Sequence, residues 1–384
     1  MMIVVAGYLV RCPLGGYAWQ TAHYLLGLRR LGHEVWFYEN TGRYVPAYNP
    51  TTNEFGPVYE YGIAATGEFL DRIGCGDRWV FVDTFSRVEY GPGAGRADEL
   101  LREADLLVNL SGVNAIPLEG RGGRPAAYVD LDPGVTQLNL ANGDKTLGDV
   151  LSEHRTLFTF GENIGSSRSP IPTGGYTWHP TRQPVVIECW TDASVPRPVY
   201  TTIGKWTSRD RDIEYAGEYY GWSKRDQWLE LLDLPSRTDV QFEMAMDVKT
   251  PDDCRRLTVA RWNLVDPLKA SSDPWRYREY IQRSRAEFSV AKDMNVRLRS
   301  GWFSDRSACY LAAGRPVVLQ DTGFGDVVPL GPGLHAFETL EGAARAIRDI
   351  EVDWQLASTH AKSVAREWFD AERVLGQMLR TIGA

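Results

Sequence analysis

Between Ser300 and Asp326 the chain reads SGWFSDRSACYLAAGRPVVLQDTGFGD, and its polar residues are spaced to bind an anion. Ser304 stands where a helix N-cap belongs, ahead of an apolar stripe at Ala308, Leu311 and Ala312. Asp305, Arg306 and Ser307 fall in the first turn. A helix start offers free amides and the positive end of the helix dipole, so hydroxyls and a guanidinium beside it suit a phosphate or diphosphate. Gly314 and Pro316 end the helix, and PVVLQD reads as a buried strand delivering Asp321, Thr322, Gly323 and Phe324 to the same edge. Capping serines and a first-turn aspartate also serve helices that bind nothing, so the surrounding architecture decides between the two.

A second constellation, YVDLDPGVTQ, sets Asp130 and Asp132 two residues apart at the end of an apolar strand, on one face of it. A carboxylate whose pKa burial has raised is a general base for an acceptor hydroxyl. For Asp132 the alternative is an Asx-type cap on the turn at Pro133 and Gly134. Lys205, after Gly204, and Arg299, before Ser300, are cations suited to stabilising a leaving diphosphate without metal. His179, in YTWHPTRQP, lies in a loop over the expected cleft, whereas His23, His33 and His154 read as packing residues. Gly15 and Gly16 form a glycine loop in RCPLGGYAW. Its spacing is not G-x-G-x-x-G, so the dinucleotide fingerprint is unmet even though Glu39 ends the second strand as a ribose-binding acid would. Asp130-Leu131-Asp132 has the letters of a D-x-D metal motif but runs into Pro-Gly, so neither metal nor cofactor is expected.

The elements that must position these groups alternate. Met2–Val10 is a β-rich run, Ala18–Leu31 carries helical spacing, and GHEVWFYEN is a second strand, which together make a βαβ unit and imply a parallel sheet. Strands are expected at WVFVD, DLLVNLSG, AAYVDLDPG and LFTFGEN. Residues 165–184, rich in Pro, Gly and Ser, read as an interdomain loop. A second α/β series follows, with strands at VVIECW, VYTTIGKW, VQFEMAM, NLVDP and FSVAKDM, and the tail reads as two amphipathic helices. Two doubly wound α/β domains facing across a cleft are the expected fold class.

With 384 residues, 43% hydrophobic and 24% charged, the chain is long enough for two cores. A net charge of −8 argues against nucleic acid or an anionic membrane as partner. Five cysteines lack C-x-x-C spacing, which excludes a zinc cluster or disulfide framework and points to a cytoplasmic setting. The apolar start, MMIVVAGYLV, has no basic flank and reads as a strand, and no segment is apolar for long enough to span a bilayer. The 13 Trp and 18 Tyr suit either a ligand cleft or two aromatic cores.

ACYLAAGRPVV resembles the E-A-x-A-x-G-x-P-V-V element of GT-B glycosyltransferases. GLRRLGHEVWFYE is similar to their N-terminal LxxxGHEV segment, TIGKW to the first turn of their donor domain, and the terminal helices to their closing segment. The resemblance implies an N-terminal domain over 1–175 on the acceptor side, a donor domain over 176–360, and a helix over 361–384 packing back. It implies a nucleotide-sugar bound by Gly204, Lys205, Arg299, Gly301, Trp302, Ser304, Asp305, Arg306, Ser307, Asp321, Thr322, Gly323 and Phe324. Gly15, Gly16 and His179 would line the interdomain side, and Asp130 or Asp132 would be the base of a metal-independent transfer to an acceptor hydroxyl. The chain departs from the family pattern at Cys309, where a ribose-binding glutamate is usual, and at Gly301, where Glu or His is frequent; Asp305 or Asp321 would substitute. An epimerase or phosphorylase on the same scaffold, or a non-catalytic nucleotide-sugar binder, are the alternatives, with a nicotinamide dehydrogenase third.

Overall fold

The computed structural model describes residues 1–42, 46–116, 118–191, 195–208 and 210–384. Its first part contributes β1 (Met2–Ala6), β2 (Glu34–Asn40), a hairpin of β3 (Ala47–Asn49) and β4 (Glu54–Gly56), then β5 (Trp79–Asp83), β6 (Val88–Tyr90), β7 (Leu106–Leu110), β8 (Ala126–Asp130), β9 (Thr156–Thr159) and β10 (Trp178–Pro180). Apart from the hairpin these form one sheet, ordered β10-β9-β8-β7-β1-β2-β5-β6 and parallel except at the β5–β6 pair. Continuous burial along β1, β7, β8 and β9 explains the unbroken apolar runs, because helices cover both faces of a parallel sheet.

The second part contributes β11 (Val199–Gly204), a hairpin of β12 (Ile213–Tyr215) and β13 (Glu218–Tyr220), then β14 (Gln241–Met246), β15 (Trp262–Val265), β16 (Ala286–Ser289), β17 (Val317–Gln320) and β18 (Leu334–Phe337). Its sheet, ordered β15-β14-β11-β16-β17-β18, is parallel throughout. In each sheet the order turns back beside the first strand, β1 or β11, and such reversals open crevices at carboxyl ends. Many of the aromatics fill cores: Trp19, Trp190, Trp206 and Trp228 are fully buried, and Trp228, Phe242, Trp262 and Phe288 pack in mutual contact.

Three departures from the expected elements bear on the cleft. Strand β10 belongs to the first sheet, so the chain crosses to the second domain only after Pro180. VVIECW forms no strand. Val185 instead exchanges backbone hydrogen bonds with Phe369 and Ala371, and Ile187–Cys189 is a 3-10 turn. The β12–β13 hairpin was not legible beforehand. Its Ile213 and Tyr220, with Trp222, join an apolar cluster containing Tyr128, Ile164 and Trp178 of the first domain.

The tail crosses back as expected. Helix Ala371–Ile382 packs on helix Gly15–Arg30 at Gly27, where a Cβ would lie 2.5 Å from Leu375 Cδ1 and 2.9 Å from Ala371 Cβ. No helix among the described residues is long and apolar enough to cross a membrane.

Candidate functional site

The carboxyl ends of both sheets face one another, and the loops there hold most of the groups singled out from sequence. On the first domain, Glu39 is fully buried beneath the loop after β1. Its carboxylate accepts hydrogen bonds from the backbone N–H of Leu9 (2.7 Å), Val10 (2.6 Å) and Arg11 (3.0 Å), and from Arg11 Nε (2.9 Å). A carboxylate so occupied fixes its own loop and is not free for a ribose. Gly15 and Gly16 follow at the start of the first helix, facing Tyr277 of the second domain.

Asp130 and Asp132, two apart in sequence, do different things. Asp130 is the last residue of β8 and 1% exposed, and it accepts from Thr136 Oγ1, Gln137 Nε2 and Thr159 Oγ1, each at 2.8 Å. Burial raises its pKa against those three hydrogen bonds, but the group is sealed inside the domain, tying β8 to β9 and to the helix that follows. Asp132 lies beyond the strand end and reaches the other domain, where Arg211 donates to it and Lys292 Nζ stands 3.6 Å away. Burial alone would raise its pKa; Lys292 and Arg211 hold it below the usual carboxylate value. His179 sits on β10, its ring 5.8 Å from Phe158. β10 is four strands from β1, about 19 Å of sheet, so His179 is not brought to the glycine loop.

The segment at 299–326 splits between a domain contact and the cleft. Gly301 (φ +78°) and Gly323 (φ +82°) pack against Asn163 of the first domain; a Cβ on them would lie 2.7 Å from Asn163 N and 2.6 Å from Asn163 Nδ2. Asn163 Nδ2 donates to Gly323 O (3.0 Å) and Arg299 O (3.2 Å). Arg299 pairs with Asp321 (3.1 Å) and Asp326 (3.3 Å). Thr322 is fully buried, its hydroxyl on Trp302 O at 2.6 Å, and Phe324 packs edge-on to Phe303. These residues hold two loops together where the domains touch.

Helix Asp305–Ala312 begins at Ser304 as expected, but the Ser304 hydroxyl does not cap it. Ser307 Oγ is buried without a hydrogen-bond partner among the described residues. Asp305 accepts from Gln20 Nε2 across the domain boundary at 3.4 Å. Arg306 is inward-facing: Nε pairs with the buried Glu287 (2.6 Å), and the other nitrogens donate to Ile203 O and Ser289 Oγ. Arg306 is therefore spent on the buried Glu287 and is not free to grip a phosphate. Cys309 is buried, its sulfur 3.9 Å from His23 Nε2, so a ribose contact from that position is not offered. His23 lies 3.0 Å from both Val186 N and Trp190 Nε1, and burial depresses its pKa to about 3.

Of the cations that gather at this mouth, sequence reasoning named Lys205 and missed Lys224 and Lys292. Lys224, at the N-cap of helix Arg225–Glu230, stands 5.6 Å from the Trp302 ring and has no carboxylate partner among the described residues. Burial first, then the nearby Arg306 and Lys292, push its pKa well below the ordinary lysine value. Lys292, after β16, sits on the face of Trp222; burial outweighs the pull of Asp132 and brings it to about 8. Lys205, exposed after β11, is likewise without an ion pair among the described residues and bears electrostatically on Cys12 of the glycine loop. Opposite them, Tyr17 is 40% exposed and edge-on to Tyr8 at 5.5 Å. The signal for Lys224 in the sequence was its place at a helix start, but an isolated lysine in SKRDQW looks like any solvated helix end.

No protein-family model and no curated protein sequence matches the chain. Among solved structures, an α-glucosyltransferase in complex with UDP and a 13-mer DNA superposes with a TM-score of 0.59 at 9% identity, over 100% of this chain and 99% of that one. AviGT4, a glycosyltransferase involved in avilamycin A biosynthesis, gives 0.56 at 13% identity, over 100% and 97%. A UDP-N-acetylglucosamine 2-epimerase from Listeria monocytogenes, so described provisionally, gives 0.52 at 10% identity, over 99% and 95%. With two Rossmann-ordered sheets facing across a cleft, a terminal helix returned to the first domain and end-to-end superposition on such proteins, the chain has the GT-B fold.

Proposed function

We propose that the protein is a glycosyltransferase that moves a sugar from a nucleoside diphosphate sugar to an acceptor hydroxyl without a metal. The observation that carries this is the group of cations at the cleft, Lys205 and Lys224 with no carboxylate partner among the described residues and Lys292 beside them, in a chain of net charge −8. Lys224 holds an unpaired charge where burial opposes it, which is costly in an empty protein and favourable only when an anion arrives. A diphosphate is that anion. Its negative charge grows as the glycosidic bond to the leaving nucleotide breaks, so these lysines and the uncapped amides at Ser304–Arg306 stabilise the departing group more than the bound donor.

The donor would lie against the second domain between Lys205, Lys224 and Trp302, with the acceptor on the Tyr8 and Tyr17 side. Neither aspartate suits a base in this arrangement, because Asp130 is sealed behind three donors and Asp132 is held ionised by two cations. The acceptor proton would leave to the departing phosphate oxygen or to solvent.

Thermal-shift titration with UDP, GDP, dTDP and ADP tests the site. Stabilisation of about 2.7 kcal/mol at a hundredfold excess over Kd is expected for at least one of them. Sugar transfer should survive EDTA, and a melting point unmoved by all four nucleotides would reject the donor assignment. The epimerase neighbour supports a second activity on the same site, in which the nucleotide-sugar is converted with no acceptor present. Incubating the donor alone and looking for an epimerised or freed sugar separates the two.

A further inference from the structure

Asp132 of the first domain forms ion pairs with the cations on the far wall. Arg211, on the segment leading to the β12–β13 hairpin, donates to its Oδ2, and Lys292 Nζ lies 3.6 Å from its Oδ1. Both cations also bracket Trp222, Lys292 on the ring face and the Arg211 guanidinium 5.6 Å from its centre. The carboxylate is 35% exposed and Arg211 42% exposed, so water and solutes reach the contact. Among the described residues Asp130, Asp210, Tyr17, Tyr128 and Lys224 are other titratable groups that bear on it. The same segment is held to the first domain further along, where Asn142 Nδ2 donates to Glu214 O at 2.8 Å.

Resting on the donor reading above, we infer that Asp132 is the resident counter-ion of the empty cleft: its carboxylate occupies Arg211 and Lys292 until a nucleoside diphosphate displaces it. A singly charged carboxylate is outcompeted by a multiply charged diphosphate for the same two donors, and Arg211 can grip phosphate oxygens in a fork as it grips a carboxylate. Displacement breaks the ion pairs joining the first domain to the hairpin segment. Donor binding and release of this latch are then one event, and the affinity of the empty protein is lowered by the share of molecules in which the latch is closed.

Isothermal titration with UDP, GDP, dTDP and ADP at pH 7 tests this on the full chain, comparing the parent with Asp132→Asn and Asp132→Ser. For whichever nucleotide binds the parent, both variants should bind about five- to tenfold tighter, within the range of ordinary coupling energies. Arg211→Ala should weaken the same nucleotide, since it removes a cation rather than its competitor. Asp132→Glu, which keeps the charge, should stay near the parent value. If the parent binds a nucleotide and neither neutral variant gains, the counter-ion role is refuted and the donor site stands. If no nucleotide binds the parent or any variant, the donor reading falls and takes the counter-ion role with it.

Discussion

Gly15 at the mouth of the first helix lies directly against Tyr277 of the second domain, where a Cβ on the glycine would stand 2.3 Å from the tyrosine Cβ and 2.8 Å from its Cγ. The contact is part of a seam in which Trp19 Nε1 donates to Pro274 O at 2.7 Å and Trp19 meets Trp275 edge-on. Glycine is needed here for closeness, since its φ is not in the left-handed region. Gly15→Ala should therefore push the domains apart at this seam. The expected cost is about 1–3 kcal/mol in urea denaturation, typical of overpacking. Small-angle scattering should also show a larger radius of gyration; an unchanged radius and midpoint would mean that the seam gives way elsewhere.

Removing Lys224 should separate function from stability. Burial and the neighbouring Arg306 and Lys292 work against its charge, so the empty protein gains nothing from holding a cation there. Lys224→Met is expected to leave the melting point unchanged or higher while weakening nucleotide binding at least tenfold. Lys205→Ala should weaken binding too, with no gain in stability because that side chain is solvated. A clear fall in the melting point of Lys224→Met, without loss of binding, would make the lysine structural.

The large divisions of this molecule were legible because they rest on periodicity. The βαβ unit at Met2–Asn40, the parallel order of both sheets and the helix at Ser304 follow from apolar runs and caps that local sequence records. What escaped depends on contacts distant in sequence. VVIECW has a strand's composition, yet it crosses between domains and pairs with the kink at Phe369–Ala371. The hairpin signal in DIEYAGEYY is short, and only its packing against Tyr128 and Trp178 gives it a role. Asp130 and Asp132 were expected on one strand face. However, β8 ends at Asp130, so alternation stops there and Asp132 is free to point across the cleft. Gly323 was placed at a ligand because it follows a strand end beside a helix mouth, and Gly301 because the family resemblance implied it; the structure packs both on Asn163, a partner that spacing cannot reveal.

Nucleotide affinity should fall as pH rises past about 8. Lys292 is brought down to about 8 in the folded chain from an ordinary 10.5, so below that pH it is charged and above it neutral in the empty protein. An anion binds the charged form better, hence binding above pH 8 requires proton uptake and weakens by up to tenfold per unit. Lys292→Arg keeps the charge at all these pH values and should flatten the curve between pH 7 and 9. Titration of the parent and the variant across that range checks this, and parallel curves would assign the pH dependence to another group.

Glu39 supports the glycine loop from beneath, and its loss should be felt as folding rather than as lost ligand. Four hydrogen bonds converge on its carboxylate, three from consecutive backbone amides at Leu9, Val10 and Arg11 and one from Arg11 Nε, with both side chains fully buried. Removing one partner of a buried pair strands the other charge, at a cost of about 3–5 kcal/mol. Glu39→Gln preserves the shape but loses the charge that Arg11 answers and replaces one acceptor by a donor facing backbone N–H groups. Urea denaturation should show a loss of that size, with the slope against denaturant unchanged. A nicotinamide cofactor should not alter the midpoint of either protein, because the carboxylate that would hold its ribose is already spent on the loop. A shift of the parent's midpoint by NAD would overturn this assignment and return Glu39 to the cleft.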